Sequence, residues 1–479
     1  MATGIRSVCL AILASSACLF PGSTSARDNI GPLLIENVSV VDPSKGTSPA
    51  QTIAIRGGEI VYAGPAGTAP RMPHARRIDG KALFALPGLA DMHVHIWDEA
   101  ELGAYLAHGV TTVRNMSGMP FHLRLAKRIE ADEVSGPRLL TTGPILNSPG
   151  PNEQINHQML MDAASARAAV KAHHAAGYER LKVYSNLRRE PYEALLDEAK
   201  TLGIAITGHT PEGERLEGIP TEQPFVIAFD EILDDGFETI EHSESILWHG
   251  LSDKLDETAA RVVASRIANT GVPVTPTLVA HHNLVRMAAG KEVFATRQGT
   301  DWLNPVTQAT EQGAIAFWQG QDPADHEDKD RFIGRLTRIM ADEGVLLVSG
   351  SDAGIFSNVP GRSLLKELDL LERAGFSPRE ALLSSTANVA QVLGEKGKSG
   401  CLEAGCIADI ALYRCDPSED LSCLDRPAVV IRKGHYYNRP ALDVLLQRAS
   451  EHDTARTIDN IVEGMAAQGT PIDPALLAQ

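Results

Sequence analysis

Positive charge is scarce in this chain. Lys and Arg number 44 against 61 Asp and Glu in 479 residues, a formal net charge of −17. Nucleic-acid binding needs clustered Lys and Arg to neutralise phosphates, so this balance argues against such a partner. The acidity reads as solubility. Beyond the N-terminus there is no stretch of about 20 uninterrupted apolar residues, the length a membrane-spanning helix requires. There is no internal repeat, and nothing in the composition reads as disordered or collagen-like. The acidic cluster Asp322, Asp325, Glu327, Asp328 and Asp330 lacks the spacing and the Gly of an EF-hand, and is expected as a solvated loop rather than a calcium site. Cysteines number only six, and none are spaced C-x-x-C.

What is present begins with an export signal. Arg6 is the only charged residue among the first 26, an apolar run follows from Val8 to Phe20, and Thr24-Ser25-Ala26 supplies small residues for a signal peptidase. Residues 1–26 are therefore expected to be a signal peptide, and the mature protein periplasmic or secreted. Cys9 and Cys18 leave with that segment. The four that remain, Cys401, Cys406, Cys415 and Cys423, suggest two disulfides in an oxidising compartment. Of the three connectivities, 401–406 with 415–423 is adopted as the expectation. A zinc knuckle is the competing reading.

Residues 33–66 alternate apolar and polar with Gly57-Gly58 as a hairpin signal, and 408–413 and 429–434 look alike. One small β-sandwich built from both termini is expected, from 27–85 and 398–440. Between them, short apolar runs alternate with amphipathic helices: 86–95, 110–115, 138–145, 180–184, 205–209, 239–242, 272–278 and 346–352. Eight alternations predict an α/β fold of the TIM type, a (β/α)₈ barrel over 86–397. A tail, 441–479, starts helical and loses its pattern at Gly469 and Pro471.

In such a barrel, chemistry sits where the strands end. His93 and His95 are two apart on a strand, so both imidazoles face one space. Lys182 interrupts an apolar strand; it either snorkels outward or is held inside for chemistry. The next strand ends in His209, the following one in His242, and the last in Asp352. A bland reading, loop residues that merely hydrogen-bond, has to hold at five strand ends at once.

These residues resemble the amidohydrolase superfamily, close to its imidazolonepropionase-like and prolidase-like (ochratoxinase-like) metal-dependent hydrolases. The resemblance rests on Leu86-Pro-Gly-Leu-Ala-Asp-Met-His-Val-His, Ile240-Glu-His, Gly350-Ser-Asp-Ala-Gly, Ser385-Thr-Ala-Asn-Val-Ala and Gly405-Cys-Ile-Ala-Asp-Ile-Ala. It implies two divalent ions, zinc for preference. His93 and His95 would hold one and His209 and His242 the other. Lys182, carbamylated by CO₂, would bridge them. Asp352 would bind the first ion and act on the catalytic water. Tyr184, two residues after Lys182, could donate to the substrate carbonyl or simply pack. His157, His281 and His282 are either loop residues or substrate contacts. Arg362 either pairs with a substrate carboxylate or is a surface residue at a helix start. The implied activity is hydrolysis of an amide-type C–N bond in a small molecule such as a dipeptide or N-acyl amino acid. The alternative is a one-metal deaminase or cyclic-amide hydrolase, for which His209-Thr-Pro-Glu212 supplies a His-x-x-Glu pattern. A metal-binding scaffold without turnover is a third class. The tail helix could serve a homo-oligomer.

Overall fold

The structure is a computed structural model, and it describes residues 31–151, 153–214 and 225–477. The export signal expected at 1–26 lies outside the described residues.

Strands from the two ends of the chain share one eight-stranded sheet. Its order is His435–Asn438, Val429–Arg432, Ile410–Tyr413, Phe84–Pro87, Leu33–Asp42, Gly46–Arg56, Glu59–Pro65, with Arg76–Asp79 also paired to Leu33–Asp42. The seam between the ends is antiparallel, with Ala411 opposite Leu86 and Leu412 opposite Ala85. Alternation along each strand puts Leu33, Ile35, Ile53, Ile55, Ile410 and Leu412 into one buried cluster. The two cysteine pairs are bonded as 401–406 and 415–423.

Between the two ends, helices accompany parallel strands. Leu89–Val94, Val110–Asn115 and Arg138–Thr141 form one parallel sheet. Ile145–Asn147, Arg180–Val183, Ala205–Gly208, Phe237–Glu241 and Val274–Thr275 form another, with His157–Met159 on its edge. The expected third strand is therefore split. Pro144 has no N–H to continue a ladder, while Gly143 N–H donates to the Arg180 carbonyl at 2.8 Å. The expected eighth strand is not a continuous strand among the described residues; it makes isolated parallel bridges, Leu347 to Val274 and Ala353 to Val94. Part of its ladder is diverted: Ser349 N–H donates to the Ser384 carbonyl and Ala90 N–H to that of Ser385.

Residues 86–95 do not form one strand. The chain changes sheets at Gly88, between Phe84–Pro87 and Leu89–Val94. A Cβ at Gly88 would lie 2.2 Å from Thr111 Oγ1, so only glycine allows the crossing. The acidic cluster is also not a loop. It opens the helix Ala324–Asp342, and Asp330 receives both His281 Nδ1 (3.1 Å) and His282 Nδ1 (2.9 Å). The tail stays ordered past Gly469. Helices Arg439–Arg448 and Thr454–Ala467 are followed by a short turn, Pro474–Leu476, capped by Asp473.

Several histidines are sealed into this core. His122 donates from Nε2 to the Ile96 carbonyl (2.7 Å) and accepts at Nδ1 from Met119 N–H (2.9 Å), which fixes the backbone just after His95. Burial pulls His108, His122 and His173 down to about 4. Their folded pKa lies below the unfolded value, so the unfolded chain binds more protons between pH 6.5 and 4. Their contribution to stability is complete above the unfolded pKa and is lost as pH falls through about 4. Urea unfolding measured across that window should show stability falling by about 1.4 kcal/mol per pH unit for each histidine. A His173→Asn variant should fall less steeply, by about one proton.

Candidate active site

Five of the expected ligands meet in one cluster, with His93, His95, His242 and Asp352 buried and His209 partly buried. His93 ends a fully buried strand, and its ring lies 5.5 Å from that of His95 and 4.5 Å from that of His242. The His242 ring lies 4.4 Å from that of His209, which in turn lies 4.0 Å from the Tyr184 ring. Asp352 Oδ1 approaches His95 Nε2 at 3.0 Å and His93 Nε2 at 3.3 Å. Donor atoms of His93, His95 and Asp352 all lie within 4.8 Å of one another, close enough to ligate a single ion.

The sixth expected ligand, Lys182, points inward. It is 2% exposed, with Nζ 3.1 Å from His93 Nε2. Burial outweighs the attraction of Asp352 and Glu241 and brings its amine down to about 8. Burial likewise pushes the His93 imidazole well below the ordinary range and lowers His95 and His242. The neutral form is the one that ligates a metal.

Each of the four imidazoles is held by its Nδ1. The partners are Glu241 Oε2 for His93 (2.7 Å), Ser117 Oγ for His95 (2.8 Å), Ser245 Oγ for His209 (3.0 Å) and Thr277 Oγ1 for His242 (2.6 Å). Two tautomers follow directly. A carboxylate can only accept, so His93 carries its proton on Nδ1. Thr277 donates its own hydroxyl to the Pro276 carbonyl (2.8 Å) and so accepts from His242. In both rings the Nε2 lone pair is left facing the cluster, as a ligand requires.

The backbone at the cluster is unusual. Asp352, His242 and Thr277 have φ of +53°, +67° and +49°, the left-handed region that non-glycine residues seldom occupy. Asp352 N–H donates to the His93 carbonyl (2.7 Å), and buried Asp91 takes Ser351 N–H (2.9 Å) and the Ser351 hydroxyl. Burial lifts Asp91 to about 7.

Beside the cluster lies a cavity of about 600 Å³ that the expected residues His95, Lys182, Tyr184, His209, His242, His281 and Asp352 all help to line. Glu212, named for the alternative reading, lines it too and accepts from Trp248 Nε1 at 3.1 Å. His157 stands behind Tyr184, ring to ring at 4.5 Å, and accepts at Nδ1 from the Asn147 side chain (3.2 Å). Arg362 does not line this cavity. It opens the helix Arg362–Arg373 and faces a second cavity, 3.9 Å from Asp425.

Sequence reasoning missed the supports. Glu241 stands beside an expected ligand in Ile240-Glu-His, but nothing in that spacing marks it as the partner of His93. Arg114, fully buried, donates to Glu241 Oε1 (2.7 Å), Glu238 Oε2 (2.9 Å), Thr239 Oγ1 (2.8 Å) and the Met92 carbonyl (2.8 Å). Its signal was a lone cation inside the strand Val110–Asn115, the same signal that flagged Lys182. Arg114→Met strands a buried carboxylate and should cost about 3–5 kcal/mol in urea unfolding. Arg114→Met/Glu241→Gln should recover part of that loss, since the unpaired charge is gone.

The family profile described as "Amidohydrolase family" matches residues 84–436. An imidazolonepropionase from Idiomarina loihiensis is 23% identical over 414 residues, covering 81% of this chain and 92% of that protein. Among solved structures, a bottromycin amidohydrolase superposes with a TM-score of 0.72 at 25% identity, covering 94% of this chain and 93% of the other. A Xaa-Pro dipeptidase with bound methionine superposes at 0.64 with 20% identity, covering 85% and 100%; at that identity the likeness is one of fold.

Proposed function

Because the chain belongs to the amidohydrolase family, we propose that it is an exported, binuclear hydrolase of an amide-type C–N bond, working at the mouth of a (β/α)₈ barrel whose termini form a small β-sandwich. The observation that carries the reading is the inward Lys182 amine among four imidazoles and Asp352. An amine brought down to about 8 offers its neutral form to CO₂ near neutral pH. The carbamate so formed, with loss of one proton, supplies anionic oxygens on the side of His93. The donor set is nitrogen and oxygen, which suits zinc and similar divalent ions. His93, His95 and Asp352 would hold one ion, His209 and His242 the other, with Lys182 between. Bound there, two such ions would acidify a water and polarise a carbonyl.

The remaining work belongs to the protein. Asp352, within reach of both His93 and His95, would take the proton of the attacking water and deliver it to the departing amine. Tyr184 lines the same cavity against His209 and would donate to the carbonyl oxygen as charge builds there. A dipeptide or N-acyl amino acid is the substrate class the family likeness suggests. Export is supported by the two disulfides, which persist in oxidising compartments.

One observation favours a second reading. Glu212 is 2% exposed and faces the cavity three residues after His209, which suits proton shuttling at a single ion held by His93, His95 and Asp352. Metal content separates the two readings. The first expects about two ions per chain in wild-type protein supplied with bicarbonate, and fewer in Lys182→Ala. Asp352→Ala should lower kcat/KM for a cleaved amide by about 10²–10⁴-fold. A single ion, indifferent to Lys182 and to bicarbonate, would move the assignment to Glu212.

A further inference from the structure

Part of the cavity wall is built by the C-terminal tail. Ile461 and Met465, on the helix Thr454–Ala467, line it together with Ile472 and Leu477 beyond that helix. All four lie past residue 436, where the family match ends. The tail is anchored beside the chemistry. Arg456 donates to the buried Asp98 carboxylate from Nη2 (2.8 and 2.9 Å) and from Nε (3.1 Å), three residues after His95. Asn304 donates to Thr457 Oγ1 at 3.0 Å, and a Cβ at Gly464 would stand 2.8 Å from Met119, so the helix is pressed against its neighbour. Val306 and Leu284 add to the apolar lining of the cavity that Lys182 and Asp352 also line.

We propose that the tail, residues 454–477, is a specificity element, and that the substrate carries a long apolar group packed against Ile461, Met465, Ile472 and Leu477. This rests on the reading of Lys182, Asp352 and their neighbours as an amide-cleaving site. A pocket lined by a few charged groups and by many apolar side chains suits a ligand that is polar at the scissile bond and apolar elsewhere.

The test uses the full-length holoprotein and N-methyl amides of straight-chain acids from two to ten carbons, with binding followed by titration calorimetry. Affinity should rise about fourfold per added methylene until the wall is covered. Ile472→Asp should flatten that dependence, as should a chain ending at Gly469; the two variants differ in what they remove, so a folding failure of one leaves the other informative. Affinity independent of chain length in the wild type would overturn the proposal, as would an unchanged dependence in both variants. Amides that bind with the expected dependence but are not cleaved would uphold the apolar wall and sink the amide-hydrolase reading instead.

Discussion

A guanidinium with no access to water persists only where carboxylates and carbonyls surround it. Arg114 is such a group, and the site depends on it. Through Glu241 it fixes the Nδ1 proton of His93, and so the direction in which His93 offers its lone pair. Through Glu238 it reaches Arg180, whose Nε lies 2.9 Å from that carboxylate. Four charges of alternating sign thus run from a partly exposed position to a cluster imidazole. Removing Arg114 leaves the buried Glu241 without its cation, and the line ties three strands together: Val110–Asn115, Arg180–Val183 and Phe237–Glu241.

The same economy of position recurs around Asp352. Its carboxylate faces two imidazoles, its N–H binds the His93 backbone, and its turn is gripped by Asp91 through Ser351. The left-handed backbone at Asp352 and His242 shows strain accepted where side-chain direction matters. Gly354, next in the turn, lies so close to the His95 carbonyl that a Cβ would be 1.8 Å from it. The turn could not close on the His-x-His strand with any other residue there.

Much of the cluster was legible in the sequence because strand ends announce themselves. An apolar run followed by His, or by Asp after Gly-Ser, needs only the two-residue period of a strand to be read as pointing inward. The supports were harder to read because they act at right angles to the chain. Glu241 alternates away from His242 on its own strand, and its meaning comes from His93, on another sheet. Ser117, Ser245 and Thr277 are ordinary turn residues until an imidazole is set against them. Arg362 looked like a carboxylate partner because it follows the last strand, but sequence distance does not say on which side of a helix start a side chain falls. The break at Gly88 was hidden inside a uniformly apolar run, where hydrophobicity is equally satisfied in either sheet.

The pairing of Phe84–Pro87 with Ile410–Tyr413 sets the order in which this molecule can be completed. The N-terminal strands pair with one another, but Phe84–Pro87 lacks its second neighbour until nearly the whole chain has been made. Loop closure over so long a separation is slow, and until it happens the edge of Phe84–Pro87 is unpaired backbone open to foreign strands. The molecule completes this sheet only once its C-terminal strands have been made. Its sheet cannot lock prematurely, and the last segments to arrive, which also carry both cysteine pairs, are the ones that lock it.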